Sequence, residues 1–193
     1  MKIKGIKFSI HYSWYIVAVF LTYGLWRSYF PSVSYGKSPF SYLLMGLVAT
    51  IVLFGCVVMH ELAHSFVAWI RGIKTESITL YFFGGVAELK READGAESDL
   101  YISLAGPVMS FILAFSFKVL SVSPIDEYLY SMNLMIGAFN LLPAFPLDGG
   151  RALRAVFWKL RKKGFIDAMR CTLLPLHFHL RSGNDTYEVE VKY

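Results

Sequence analysis

Charge is what this sequence has least of. Lys, Arg, Asp and Glu make up 17% of its 193 residues, where a soluble domain carries nearer a quarter. Apolar residues fill the deficit at 55%. That balance excludes an ordinary soluble domain and makes the surplus lipid-facing surface, so the lipid bilayer is the first partner expected. Cysteine is scarce as well: Cys56 and Cys171 give no disulfide framework, and Cys56, inside an apolar run, reads as packing. The net charge of +5 does not indicate a nucleic-acid partner. Its basic residues flank apolar runs, as cytoplasmic loops do.

One cluster of ionisable groups nevertheless stands inside an apolar run. His60-Glu61-Leu62-Ala63-His64 follows Ser41 to Met59, apolar or small throughout, and Ser65 to Ile70 continues the run. Residues four apart on a helix share a face, so His60 and His64 can offer ring nitrogens to one metal ion. Glu61 lies about 100° around the helix from His60. That direction suits a water at the metal better than the coordination sphere itself. Two imidazoles beside a carboxylate base form the constellation of a zinc metalloprotease. With 5 His and 8 Glu in 193 residues, chance gives the pattern roughly once in two hundred such chains. Helix histidines satisfied by hydrogen bonds are the plain alternative. It does not explain why costly ionisable groups sit in a membrane-length span.

The fold class expected is an all-α polytopic membrane protein, with about four transmembrane helices and a small β-hairpin between the second and third. The first span follows Lys2, Lys4 and Lys7 and runs from Tyr12 to about Phe30. Without a small-residue cleavage site it reads as a helix rather than a signal peptide. The second, from about Ser41 to Ile70, stops at Arg71-Gly72. Ile78 to Phe83 and Val86 to Leu89 are β-branched and aromatic runs about Gly84-Gly85, a hairpin signature. The acidic segment Glu92 to Asp99 reads as a surface loop.

The third span, about Leu100 to Val122, contains Ala105-Gly106-Pro107. There Pro107 would kink the helix and Gly106 would admit a close neighbour. After a turn at Ser123 to Glu127, the apolar stretch Tyr128 to Leu142 runs into Pro143-Ala144-Phe145-Pro146-Leu147-Asp148-Gly149-Gly150. Two prolines and two glycines cannot continue a regular helix, and irregular backbone at membrane depth lines a cavity. Arg151 to Lys163 is a basic amphipathic helix suited to the cytoplasmic surface. Residues 1–163 form the expected membrane-embedded core. Residues 164–193 form a short atypical tail with the character of a truncated or disordered end. His177 and His179 within it read as an exposed pair.

Charge asymmetry sets the topology. The N-terminal lysines, Arg71 with Lys74, and the Arg151–Lys163 cluster share one side of a four-span bundle, expected to be cytoplasmic. His64 then lies about 10 Å inside from Arg71 and His60 about 16 Å. The site falls within the bilayer, toward the cytoplasmic side. A catalytic zinc takes three protein ligands and keeps one position open. His60 and His64 supply two. Asp148 is the best third candidate and Glu88 the weaker one, while His11 reads as interfacial. Glu61 is the expected general base. Asn140, placed two turns before Asp148 on the same helix, is a candidate to hold the oxyanion or substrate backbone. An ordinary interhelical hydrogen bond is its alternative.

Taken together and in order, His60-Glu61-Leu62-Ala63-His64, Phe83-Gly84-Gly85, Ala105-Gly106-Pro107 and Asn140-Leu141-Leu142-Pro143-Ala144-Phe145-Pro146-Leu147-Asp148-Gly149-Gly150-Arg151 resemble the site-2 protease family of intramembrane zinc proteases. The resemblance covers about Lys7 to Lys163. It implies one Zn2+ held by His60, His64 and Asp148, with Glu61 as base and Asn140 lining the substrate site. It also implies cleavage of a transmembrane segment of another membrane protein, with the hairpin around Gly84 and Gly85 guiding substrate. A helical substrate hides its carbonyls in its own hydrogen bonds, so strand addition would compensate for unwinding. The tail after Lys163 departs from that family, where many members continue with further helices. A non-catalytic relative that binds membrane segments and a metal transporter are the alternatives. The transporter explains neither Glu61 nor the Asp-Gly-Gly turn.

Overall fold

A computed structural model describes residues 2–3, 6–73, 75–81, 84–89, 95–159, 179–182 and 185–188, with side chains at residue 9, over 11–73 and over 95–159. Two short strands, β1 (Lys2–Ile3) and β2 (Ile6–Ile10), precede the first helix. The N-terminal lysines therefore belong in part to a sheet. β2 pairs in parallel with β3 (Thr75–Tyr81), and β3 pairs antiparallel with β4 (Gly84–Leu89). The order β1-β2-β3-β4 leaves β4 at one edge. β5 (His179–Ser182) and β6 (Asp185–Glu188) form a separate antiparallel pair.

Helical backbone runs from residue 13 to 33 as α1 (Ser13–Gly24), a π-helical turn (Leu25–Tyr29) and α2 (Phe30–Val33). This segment crosses α3 (Pro39–Ile70) at Gly46, where an added Cβ would stand 3.1 Å from Thr22 O and 3.3 Å from Trp26 N. Thr22 Oγ1 donates to Thr50 Oγ1 across the same crossing (3.0 Å). Below it Leu25, Phe30, Ala49 and Leu53 close a core with Tyr128 and Leu129.

α3 starts on a serine cap, Ser41 N donating to Ser38 Oγ (3.2 Å). Its end was legible as Arg71-Gly72. Gly72 takes φ +76°, its N–H reaches Trp69 O, and Ile73 N–H reaches Ala68 O. These are the paired bonds of a Schellman stop, whose apolar contact is Ile73 against Ala68, both 0% exposed.

α4 (Ala96–Leu120) begins earlier than expected, and Asp99, assigned from sequence to a surface loop, is 1% exposed inside its first turn. Two arginines partner that carboxylate, which is what makes its burial tolerable. The helix continues through Pro107 and buries a small-residue face of Ser103, Gly106, Ser110 and Ala114. Small residues let neighbouring helices approach where the solvent is lipid.

α5 (Pro124–Asn140) also begins earlier than the apolar run. Ser123 and Asp126 form a capping box, each side chain bonded to the other's backbone N–H, with Pro124 in the first turn. After residues 141–147, which include a cis Phe145–Pro146 bond, α6 runs Asp148–Lys159. Asn140 and Asp148 thus lie on different helices, not the same one. Gly149 and Gly150, expected to break a helix, instead open α6. An added Cβ at Gly149 would strike the Leu141 and Leu142 carbonyls, and one at Gly150 would stand 2.6 Å from Ala144 O. They are glycines because the loop folds back onto the helix start.

Among the described residues α3 and α4 are the two helices long and apolar enough to cross a membrane. Their outward faces carry exposed Leu44, Leu47, Ile51, Val108, Ile112 and Phe115, the inverse of a soluble surface. Mostly helical architecture is therefore observed, and the bundle turns its polar residues inward.

Candidate metal centre

α3 buries His60, Glu61 and His64, at 4%, 9% and 7% exposure, and turns both imidazoles toward α4. The two imidazole rings stand 5.0 Å apart at 74°. Asp148 enters from the first turn of α6, and its Oδ2 lies 3.2 Å from both His60 Nε2 and His64 Nε2. One potential ligand atom from each of the three side chains lies within 4.8 Å of the other two. The expected grouping of His60, His64 and Asp148 is therefore a single cluster, two members from α3 and one from α6, much later in the chain.

The remaining nitrogens fix how the rings present themselves. His64 Nδ1 donates to the Ile102 carbonyl (2.6 Å), which requires the proton on Nδ1 and leaves the Nε2 lone pair facing Asp148. His60 Nδ1 sits 2.8 Å from Ser110 Oγ, a hydroxyl able to accept from the same tautomer or donate to the other. Two lone pairs and a carboxylate oxygen aimed at one point repel unless positive charge lies among them, as a proton or a metal cation. Imidazole held through its second nitrogen is the usual posture of a metal ligand. Two nitrogens and an oxygen match the donor set of a catalytic zinc.

Space at the centre comes from α4. A Cβ built on Gly106 would collide with His64 Nε2 and His60 Nε2, and would stand 2.6 Å from His64 Cε1. The sequence indicated that Gly106 would admit a close neighbour, and the neighbours are the Nε2 atoms of His60 and His64. Pro107 follows it and, having no N–H, leaves Ser103 O without its helical donor. Behind α4's first turn, Arg151 Nη2 donates to Asp99 Oδ1 (3.1 Å) and Arg154 Nη2 to Asp99 Oδ2 (2.7 Å). Lys159 Nζ donates to Glu97 Oε1 at 2.7 Å, and that carboxylate raises the Lys159 ammonium pKa. The basic face of α6 is thus engaged with α4 at three positions, beyond the surface role its sequence suggested.

Other sequence candidates fall elsewhere. Asn140 closes α5, and its Nδ2 donates to Ile136 O (3.0 Å), a bond within its own helix. His11 lies at the start of α1 with Nδ1 3.0 Å from Ser13 Oγ. Gly84 and Gly85 open β4, opposite Tyr81 and Leu80. Glu88 is on the same strand, with its side chain outside the described residues, as is that of His179. His177 lies outside them entirely. Ser110, the Ile102 carbonyl and Asp99 were missed. A small polar residue recurring on one face of an apolar helix is the signal that could have found Ser110.

The model of peptidase family M50 matches residues 48–125 and 120–174. The chain is 36% identical over 177 residues to zinc metalloprotease MJ0392 of Methanocaldococcus jannaschii, covering 88% of this chain and 47% of that one. It is 32% identical over 124 residues to stage IV sporulation protein FB of Bacillus subtilis, covering 61% and 43% respectively. Its fold is similar to a solved site-2 protease from Methanocaldococcus jannaschii, with TM-score 0.62, 36% identity, and coverage of 83% of this chain and 71% of that one. The chain spans less than half the length of these two curated relatives.

Proposed function

Because the chain belongs to peptidase family M50, whose site-2 proteases are membrane proteins, we propose that it is an intramembrane zinc endopeptidase cleaving a transmembrane segment of another membrane protein. The observation that carries this is the convergence of His60 Nε2, His64 Nε2 and Asp148 Oδ2 on one point, with Gly106 leaving room for an ion. In this reading those three residues hold one Zn2+. Bound there, zinc supplies Lewis acidity for a peptide carbonyl and makes water a nucleophile near neutral pH.

The chain's own residues do the rest. Glu61, one residue from His60 and buried, takes the proton from the attacking water and returns it to the leaving amine nitrogen. Ser110 and the Ile102 carbonyl hold the imidazoles in the ligating tautomer. Asn140, at the end of α5, lines the substrate path. The β4 edge beginning at Gly84 and Gly85 accepts the unwound substrate as an added strand.

Four spans are proposed: the helical backbone over residues 13–33, α3, α4 and α5. The basic ends, and so the mouth of the site, face the cytoplasm. Residues 1–163 form the catalytic core, and residues 164–193 lie outside it.

The test is reconstitution of the chain with a model transmembrane substrate beside Glu61→Gln. Cleavage by the unsubstituted chain is expected. Turnover by Glu61→Gln should fall at least about 100-fold, the scale of general-base catalysis, with zinc content unchanged. Equal activity in the variant would remove the base assignment. Metal flux without cleavage would favour a transporter, and binding without either would favour a non-catalytic scaffold. Asp148→Ala should lower zinc content; full occupancy would move the third ligand elsewhere.

A further inference from the structure

We propose that Asp99 is a positioning residue of the metal centre. It fixes the rotation and register of α6, and thereby sets Asp148 on the ion that His60 and His64 face. This rests on the zinc reading above and extends it to a residue outside the ligand cluster.

Asp148 is the first residue of α6, at the end of a loop, so nothing in its own helix turns ahead of it holds it in place. What α6 buries beyond Asp148 is small, namely Gly149, Gly150, Ala152 and Ala155. Such a face packs closely, but it offers little relief to resist sliding. Slipping a helix by one residue moves it about 1.5 Å and turns it about 100°. Either motion would take Oδ2 away from its equal 3.2 Å approach to the two imidazoles. Directional bonds have to supply that resistance.

Arg151 and Arg154, one and two turns beyond Asp148, supply them to one acceptor group. Each gives an Nη2 donor to a different oxygen of the Asp99 carboxylate. Two bonds separated by nearly a turn fix rotation and translation together. Asp99 is 1% exposed, whereas the arginine side chains are 33% and 54% exposed. The buried carboxylate therefore depends on the two guanidiniums more than they depend on it.

Asp99 also stands on α4, the helix that the imidazoles of α3 contact. Ile102, Gly106 and Ser110 follow it on the same face, at helical spacings of three, four and four residues. They meet His64 Nδ1, both ligand nitrogens and His60 Nδ1 respectively. α4 thus measures the position of α6 against the same rigid body that orients α3. The exposed Lys159–Glu97 pair joins the two helices as well, but at the solvent rim, where such a pair holds little.

The experiment is a double-mutant cycle in zinc affinity, read by chelator competition on the purified full chain in detergent. Asp99→Asn should weaken zinc binding about 10- to 100-fold, the usual effect of removing a partner that orients a ligand. In an Asp148→Asn background the same change should alter affinity less than about threefold, because the ligand it positions is gone. An equal loss in both backgrounds would make Asp99 a general structural residue and overturn the proposal. So would no loss in either. If Asp148→Asn itself bound zinc like the unsubstituted chain, the zinc reading would fail, a separate outcome. Should Asp99→Asn not fold, Arg154→Gln, at a half-exposed position, should give a smaller loss with the same background dependence. An equal loss in both backgrounds there would also overturn the proposal. Glu97→Gln should leave affinity unchanged, and a loss matching that of Asp99→Asn would make any α4–α6 tie sufficient.

Discussion

α3 and α4 are both long, apolar and membrane-length, yet they bring opposite things to the centre. α3 brings buried ionisable groups, His60, Glu61 and His64. α4 contributes no member of the ligand cluster. It brings a missing Cβ at Gly106, a backbone carbonyl at Ile102, a hydroxyl at Ser110 and a clamped carboxylate at Asp99. In the proposed function one helix holds the chemistry and the other holds its geometry. A metal site in a membrane needs both, because imidazoles free to rotate would spend their lone pairs on other partners in a medium that punishes every unmet one.

The comparison breaks first at Gly106. Gly106→Ala places a methyl group against both ligand nitrogens. The expected result is more than about 100-fold weaker zinc binding, beyond the effect of losing a single orienting partner. Zinc content measured after dialysis against a weak chelator checks it. Retention of one zinc per chain would mean that α4 stands farther from the rings than the structure places it. The helix should still form, since alanine is the better helix residue.

Ser110→Ala is gentler. It removes the partner of His60 Nδ1 but adds nothing to the centre, so zinc affinity should fall about tenfold. His64, held by a backbone carbonyl, has no equivalent side-chain variant. Unchanged affinity in Ser110→Ala would leave α4's control of the rings resting on Ile102 and Gly106 alone.

Ser123→Ala sharpens the contrast from the far end of the bundle. It deletes the capping box of α5 and should cost about 1 kcal/mol of stability, read as a lower thermal midpoint. Zinc affinity should not move. A change in affinity would show that the centre responds to any loosening of the bundle rather than to α4 in particular.

What the sequence made legible follows the same division. His60, Glu61, His64 and Asp148 are recognisable because their residue types suit the proposed chemistry and because charge in an apolar run stands out. The stop at Arg71-Gly72 was readable too, since a positive φ calls for glycine there. Asp99 was misplaced because an acidic stretch looks solvated until its arginines, more than fifty residues away, are brought to it. Ile102 could not have been found, as a carbonyl carries no residue identity. Placing Asn140 and Asp148 on one helix conflicts with Pro143 and Pro146 between them, which mark the break the structure puts at residues 141–147. The parallel pairing of β2 with β3 joins segments from opposite ends of two helices, and no local pattern announces it.

The claim that two imidazoles of α3 and the Asp148 carboxylate share one zinc is tested most directly by zinc X-ray absorption on the purified chain and on Asp148→Ala. The account predicts nitrogen and oxygen scatterers at about 2.0–2.2 Å in a four-coordinate shell, with one oxygen scatterer fewer in the variant. Sulfur scattering near about 2.3 Å, or identical spectra from the two proteins, would contradict it.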